Sequence, residues 1–530
     1  METKSFEDEK YIEIVNLLQR ENDSLRAEVT ELSAQVAWLM EQVRLSKHQR
    51  FGTSSEKSEY DNISQLNIFN EAELTADANV PEPDISEVKK HFRKKRREAK
   101  DRLPPDLPVE VIGHTLPESE RFCPECDSSL HVMGKDVREE LKLIPAKAVV
   151  VRHVKYVYAC RDCEKNACGV PIIKAAVSEP VIKGSFASPE AIAHLMTQKF
   201  VMGAPLYRQE QEFKRNGIEL SRQTMSNWMI KATEDWLTPV YDALHEMICM
   251  RDILFADETT LQVLNEPGKT AQSESYMWLY RTAYGTGPPI VLYDYRPDRK
   301  AKNPEAFLAG FTGYLQVDGY KAYRSLEPGI TIVGCFSHCR RKFDEALKAL
   351  DPKDHIGSGA LAGKHFCDKL FAIERSIEDC DFDERYRKRL ELARPVLDDF
   401  RLWLKKRNPT PKSKFGIAVN YALNQWEYLE RYLLDGRLEI STNRAERSIK
   451  PFVICRKNFL FANTPRGAKC SAIMFSIIET AKENGLNPYE YLTYIFKNAP
   501  GWDIRNSIDA LECLLPHFAP RSCKAASRQN

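Results

Sequence analysis

No stretch of this chain approaches the roughly 18 consecutive apolar residues that a bilayer span needs, so the sequence excludes an integral membrane protein and implies no membrane partner. The start is acidic and lacks the charged and apolar regions of a secretory leader, so the expected location is cytoplasmic. Net charge is nearly absent as well: 77 Lys and Arg against 76 Asp and Glu leave +1. A polyanion would therefore be met by local charge, not by the chain as a whole. Fourteen Cys in 530 residues without an export signal argue for thiols or metal ligands over a disulfide framework. The composition is otherwise ordinary, with 43% apolar residues and 10% aromatics, which excludes wholesale disorder. At this length a single hydrophobic core is excluded too, and three or four units are expected.

Proline is missing until Pro81, and the segment before it carries a heptad. Leu18, Leu25, Leu32 and Leu39 fall on one position, and Val15, Asn22, Val29, Val36 and Val43 on the other. Val at a, Leu at d and a single Asn at a favour a parallel two-stranded coiled coil over residues 11–45, and hence a homodimer. Charge is segregated around it. Residues 1–87 hold 19 acids and 8 bases, whereas residues 88–102 hold 9 bases and 2 acids. Residues 46–108 read as a flexible linker whose basic run, Lys89 to Arg97, is either a solvated tether or a sequence-independent phosphate contact.

Two CxxC pairs follow, Cys123 with Cys126 and Cys160 with Cys163, 33 residues apart. Each pair offers two thiolates from one tight turn, and two pairs complete the tetrahedron that structural Zn²⁺ requires. Residues 109–175 thus read as a zinc ribbon, with β-strands expected in the alternating, β-branched run from Leu141 to Ala159. Over residues 186–235 the signals change to helix starts and turns. Ser188-Pro189, Pro205 and Ser221 open three helices, and Gly217 turns the chain between the last two. The third would bury Met225, Trp228 and Met229 and leave Arg222, Gln223, Asn227 and Lys231 outward, the arrangement of a helix-turn-helix that reads DNA.

From Asp252 the pattern is three strands in series, then strands reached through helices, the order of an α/β ribonuclease H-like core over residues 250–480. A helical insertion, expected as one long stretch with Phe366, Leu370, Ile373 and Ile377 on a stripe, interrupts it at about 351–436. Asp257 follows the apolar run Ile253 to Ala256, and Asp318 follows Val317. An ionised Asp in such a strand costs several kcal/mol unless offset, and bound Mg²⁺ is a common offset. A third carboxylate comes from the helix after Ser441 or Thr442: Glu446, at the edge of a strip with six Lys and Arg and no acid from Arg447 to Ile478. Two readings of Glu446 stand, a metal ligand and a surface carboxylate paired with Arg447 or Lys450. Glu439 is the rival third ligand. Cys335 and His338, in CxxH spacing, are either a metal or DNA contact or simply packed.

These residues resemble a known family. The Asp257-Glu258-Thr259 strand, VDGYKAY around Asp318, CFSHCRRKF from Cys335, NRAERSIKPFVICRKNFLF and RGAKCSAIMFSIIETAKENGLNPYEYL look like the insertion-sequence sixty-six family of DDE transposases. The likeness runs from zipper to C-terminal helical tail (residues 481–530) and departs at His517, where the family favours Trp. It implies Asp257, Asp318 and Glu446 as a triad binding Mg²⁺ or Mn²⁺, two-metal phosphoryl transfer, and companion proteins encoded by the same element. The DNA partners would be the element's terminal repeats and target DNA. Arg340, Arg341, Arg447, Lys450, Arg456 and Lys457 are candidate backbone clamps beside the readers Arg222, Gln223 and Asn227. The multidomain architecture also fits a dimeric zinc and helix-turn-helix regulator with an inactive nuclease-like core; only the enzyme needs divalent cations and an intact triad.

Overall fold

The computed structural model describes residues 149–154, 156–159, 172–174, 177–327, 329–410 and 412–525. The chain divides into units Met1–Lys147 and Ala148–Asn530, and everything described belongs to the second. The expected zipper (11–45), the basic linker (46–108) and the four CxxC cysteines lie outside the described residues.

A short antiparallel pair, β1 (Val157–Ala159) and β2 (Ile172–Lys174), brackets the segment containing Cys160 and Cys163. Of the strands expected from Leu141 to Ala159, Leu141 to Ala148 lie outside the described residues and Val157–Ala159 is strand. Residues 149–154 are irregular and exposed, and the strand begins only where β2 supplies backbone partners. Alternation alone provides no such partner.

Three helices follow. In α1 (Pro189–Phe200), Ser188 accepts a hydrogen bond from the Ala191 amide at 3.0 Å and Pro189 occupies the first turn. Next comes α2 (Leu206–Arg215); Gly217, at φ +75°, makes the turn that a side chain would strain. Ser221 caps α3 (Arg222–Ala232) by accepting from the Thr224 amide at 3.1 Å. Met225, Trp228, Met229 and Ala232 are buried, while Arg222, Gln223, Asn227 and Lys231 face outward. A π-helical turn, Thr233–Leu237, leads into α4 (Thr238–Cys249).

The core is a mixed sheet. Strands β3 (Ile253–Val263), β4 (Glu274–Thr282) and β5 (Val291–Arg296) are antiparallel neighbours. After helix α5 (Lys302–Phe307), β6 (Tyr314–Gln316) pairs parallel with β3, and β7 (Thr331–Val333) parallel with β6. The order is β5-β4-β3-β6-β7, so the longest strand, β3, is central. Helix α6 runs from Phe336 to Lys348, with Phe336 and Cys339 buried against the core.

The insertion is helical as expected, and its helical stretch is broken into several helices. It comprises α7 (Gly359–Ser376), α8 (Phe382–Lys388), a π-helical turn (Arg389–Ala393), α9 (Arg394–Lys405), α10 (Lys414–Asn424) and α11 (Trp426–Glu430). An aromatic core explains why it folds back. Phe366 stacks on Phe400 at 4.9 Å between centroids, and Phe343 of α6 reaches Trp403 and Phe415. The chain re-enters the core through α12 (Asn443–Phe459), and a short β8 (Phe461–Ala462) pairs with the far end of β3. Helix α13 (Pro465–Glu483) then covers the edge strand β5. Its Thr480 hydroxyl accepts from the Val291 amide at 3.0 Å and donates to the Val291 carbonyl at 2.8 Å; Ser476 accepts from the Tyr293 amide at 2.7 Å. Those hydroxyls occupy backbone groups that would otherwise form a free sheet edge. Helix α14 (Pro488–Asn498) and short turns end the described chain. No helix among the described residues is long and apolar enough to cross a membrane.

Candidate active site

The parallel register pairs Phe255 with Gln316 as its last couple; Asp257 follows on β3 and Asp318 just beyond β6, close enough for the two charges to act on each other. Strand β6 ends at Gln316, and Asp318 sits in the turn just after it, where its Oδ1 accepts from the Tyr320 amide at 2.8 Å. Asp257 is recessed at the centre of the sheet. Burial, then the charges of Glu258 and Asp318, push its carboxyl well above the ordinary carboxylate range; the Glu258 amide and His338 oppose this only in part.

Alternation along β3 sends Glu258 to the opposite face. There Arg299 pairs with it through Nε at 2.8 Å, and the Tyr323 hydroxyl donates to it at 2.5 Å. Its side chain is 1% exposed. Glu258 is thus committed to packing, which leaves Asp257 as the carboxylate that shares a face with the Glu446 helix.

That helix, α12, is tied to the sheet by residues that the sequence did not single out. Arg281, paired across the sheet with Phe255, is buried and donates to Ser448 Oγ at 2.5 Å, to the Arg444 carbonyl at 3.4 Å and to Glu483 at 3.0 Å. Gln316 exchanges hydrogen bonds with the backbone of Glu439, donating at 2.5 Å and accepting at 2.9 Å. The Glu439 side chain pairs with Arg444 at 2.6 Å. No sequence signal marks Arg281 or Gln316 beyond a polar residue in an apolar strand.

Glu446 faces helix α6: its Oε1 lies 3.3 Å from Arg341 and 3.7 Å from His338 Nε2. His338 also interacts electrostatically with Asp257 and Asp318. Burial alone disfavours its charge, yet the Cys335 thiol beside it raises it to about 9. In turn Cys335, which burial would push up, is brought below its ordinary value by His338 and by the Thr442 amide, which donates to Sγ at 3.2 Å. Thr442 precedes Glu446 by one helical turn, so the CxxH pair also fixes the start of α12.

Carboxylate oxygens are the donors that hard divalent cations take, and the mutual repulsion at Asp257 is what such a cation would relieve. The donor chemistry fits. As the side chains stand, no three His, Cys, Asp or Glu groups among the described residues close around one point; Glu446 is turned toward Arg341 and His338.

The candidate DNA contacts divide into free and engaged groups. Asn443, Arg447, Lys450, Ile454 and Lys457 form an exposed stripe along α12, whose three cations make no ion pair among the described residues. Arg340 is paired with Asp368 at 2.5 Å, and Arg456 donates to Thr259 Oγ1 at 3.0 Å, pinning α12 to β3. On α3, Gln223 donates to Asn227 at 3.1 Å, and the Arg222 guanidinium lies 6.0 Å from the Tyr207 ring.

With that geometry in place, comparison with known proteins is informative. Residues 184–470, more than half of the chain, match the transposase IS66 family. The chain belongs to that family. Around this match, residues 120–164 fit the zinc-finger binding domain of transposase IS66, residues 476–517 the IS66 C-terminal element, and residues 38–112 a segment described as transposase C of IS166 homeodomain. The zinc-finger match includes Cys123, Cys126, Cys160 and Cys163, and supports structural zinc there. Similar proteins occur in Sinorhizobium fredii, and all are uncharacterized. Protein y4jD is 31% identical over 94% of this chain and 96% of its own length. Protein y4qI is 33% identical over 73% of this chain and 72% of its own, and y4hP 31% over 75% and 73%.

Proposed function

We propose that this IS66-family transposase binds the ends of its element and catalyses divalent-cation-dependent phosphodiester cleavage followed by strand transfer. The observation that supports this best is the placement of Asp257 on β3 close to Asp318, in the turn just after the parallel neighbour β6, with the Glu446 helix held on the same face of the sheet. The strand order β5-β4-β3-β6-β7, three antiparallel strands continued by two parallel ones, supports a ribonuclease H-like catalytic core with residues 351–436 as an insertion.

Asp257, Asp318 and Glu446 would hold two Mg²⁺ or Mn²⁺ ions, which supply Lewis acidity to the attacking and leaving oxygens of an in-line displacement. Arg281 and the Cys335-His338 pair position α12, and therefore Glu446, against the sheet. Arg447, Lys450 and Lys457 offer unpaired cations to the phosphates that flank the reacting one. Arg341 stands beside Glu446 at 3.3 Å with half of its side chain exposed, and would offer its guanidinium to a phosphate at the site. Cleavage of DNA flanking the gene, assayed with and without Mg²⁺, tests the proposal. Cation-independent binding without any nicking would favour the regulator with an inactive core.

End recognition is assigned to α3. Replacing Arg222 and Gln223 with Ala should weaken binding to the element's ends by about 10-fold or more, the scale of one bidentate base pairing at about 1–3 kcal/mol, and weaken random DNA far less. Equal losses on both in a mobility-shift titration would remove α3 as the reader.

Structural zinc is proposed at Cys123, Cys126, Cys160 and Cys163, and a homodimer through residues 11–45. Purified protein should carry one zinc per chain, with Cys160→Ser losing it and opening the segment around β1 and β2 to protease. A chain free of zinc by elemental analysis, yet equally protected, would refute the ribbon. Companion proteins of the same element remain part of the proposal through the family alone.

A further inference from the structure

The insertion carries a charged surface that the reading above does not use. From Arg401 to Lys414 the chain has six cations, Arg401, Lys405, Lys406, Arg407, Lys412 and Lys414, and no acid. All six are exposed, and none makes an ion pair among the described residues. Such concentration is not needed for solubility in a chain of net charge +1, and like charges crowded on one turn repel unless an anion lies across them.

The turn is mounted rigidly. Trp403 and Phe415, on either side of it, lie 6.2 Å apart and both contact Phe343 of α6. The Arg407 guanidinium rests 4.7 Å from the Trp403 ring, which orients a cation without neutralising it. Ser413 caps α10 there by accepting from the Gly416 amide at 3.0 Å.

Position makes the patch informative. Helix α10 starts at this turn and ends at the candidate site: Gln425, just past its last residue, donates to the Gly319 carbonyl at 3.3 Å, next to Asp318. A side chain on Gly319 would meet Tyr421 Oη at 2.9 Å, so helix and site loop are in close contact. At 1.5 Å per residue the eleven-residue helix spans roughly 16 Å. Its solvent face is polar for most of that length, presenting Lys414, Asn420 and Asn424 with Ile417 between them.

We propose that this basic turn binds the phosphate backbone of duplex DNA, roughly five base pairs from the reacting phosphate at 3.4 Å per step, with α10 as the spacer. The inference rests on the transposase reading, since it takes DNA to cross the Asp257-Asp318 centre. The contact is to backbone, so it adds affinity and register without sequence choice.

The test uses the full chain and a random-sequence 40-base-pair duplex. Replacing Lys405, Lys406, Arg407 and Lys412 together with Gln should lower affinity about 10-fold or more at moderate salt. It should also reduce the slope of log affinity against log salt by about 2 to 3, at roughly 0.9 for each phosphate that is no longer neutralised. Lys→Arg replacements at 405, 406 and 412 should keep the wild-type slope, which separates charge from a folding defect. On DNA trimmed to within two base pairs of the position that the wild type cleaves, the Gln variant and wild type should bind alike; on DNA extended by ten, only the wild type should gain. An unchanged slope, or equal gain by both on the longer DNA, overturns the inference while leaving the catalytic reading intact. A wild type that neither binds nor cleaves DNA overturns that reading itself, and this inference with it.

Discussion

Asp257→Asn, Asp318→Asn and Glu446→Gln should each reduce divalent-cation-dependent strand cleavage by about 1,000-fold or more, roughly 4 kcal/mol of transition-state stabilisation. Binding to the element's ends should stay within about 3-fold of wild type, because the proposed readers Arg222, Gln223 and Asn227 are exposed on α3, an element separate from those that carry the three carboxylates. Asp257 adds a second signature. Without a cation its carboxyl is held well above the ordinary range by burial, Glu258 and Asp318. A carboxyl whose folded value exceeds its unfolded one contributes full stability only below the unfolded value, about 3.9, and loses it as pH rises through the folded value. Asn carries no charge and removes that loss. In chelator, Asp257→Asn should therefore melt higher than wild type at neutral pH, with the gap closing as pH falls toward about 4. Adding Mg²⁺ should raise the wild-type melting temperature and leave the Asn variant unmoved. A Glu446→Gln protein that cleaves at the wild-type rate would take Glu446 out of the triad, and Glu439 would be the next carboxylate to change.

How much of this was legible depends on whether a residue's partner lies near it in sequence. Asp257 and Asp318 were legible, because a carboxylate in or just after an apolar run is conspicuous without knowing its neighbours. The three helices of residues 186–235 were legible for the same reason: Ser188, Pro189, Gly217 and Ser221 act within one turn of themselves. Glu446 could be preferred to Glu439 only by resemblance, since both are acids near a helix start, and the contacts that hold the two segments come from Gln316 and Arg341, over a hundred residues away. Arg281 was invisible. Its partners are 163 to 202 residues off, and nothing in SYMWLYRTA distinguishes a buried clamp from a solvated edge arginine. The insertion read as a long helical stretch without its breaks because periodicity persists across them; the turns go with the aromatic packing of Phe366, Phe400 and Trp403. The CxxH pair was visible as a spacing, while its location beside Glu446 was not.

Arg389→Met should destabilise the insertion by about 3–5 kcal/mol, the cost of leaving a buried charge without its partner. The residue opens the π-helical turn between α8 and α9, and its side chain is 1% exposed. It holds Glu374 of α7 through two bonds, 2.9 and 2.6 Å, and donates to the carbonyls of Tyr432, Asp435 and Leu438 at 3.1, 3.0 and 2.8 Å. Three helical segments of the insertion thus converge on the stretch that leads into the Glu446 helix. A one-residue widening of the helix at this point is the kind of irregularity that lets a single side chain reach several elements. Methionine fills much of the volume but donates nothing, so Glu374 and three carbonyls lose their partner together. Amide exchange across residues 382–405 should accelerate by about 100-fold or more, given tenfold per 1.4 kcal/mol, with exchange in β3 and β4 unchanged. Pairing the change with Glu374→Met should recover part of the loss by removing the stranded carboxylate, but not all of it, because the three carbonyls stay unpaired. Complete recovery would mean that the carbonyl contacts carry no weight. Because residues 432–438 run directly into α12, cleavage should fall in the single variant even though no atom of Arg389 touches the candidate site, and should return in proportion as the double variant restores protection.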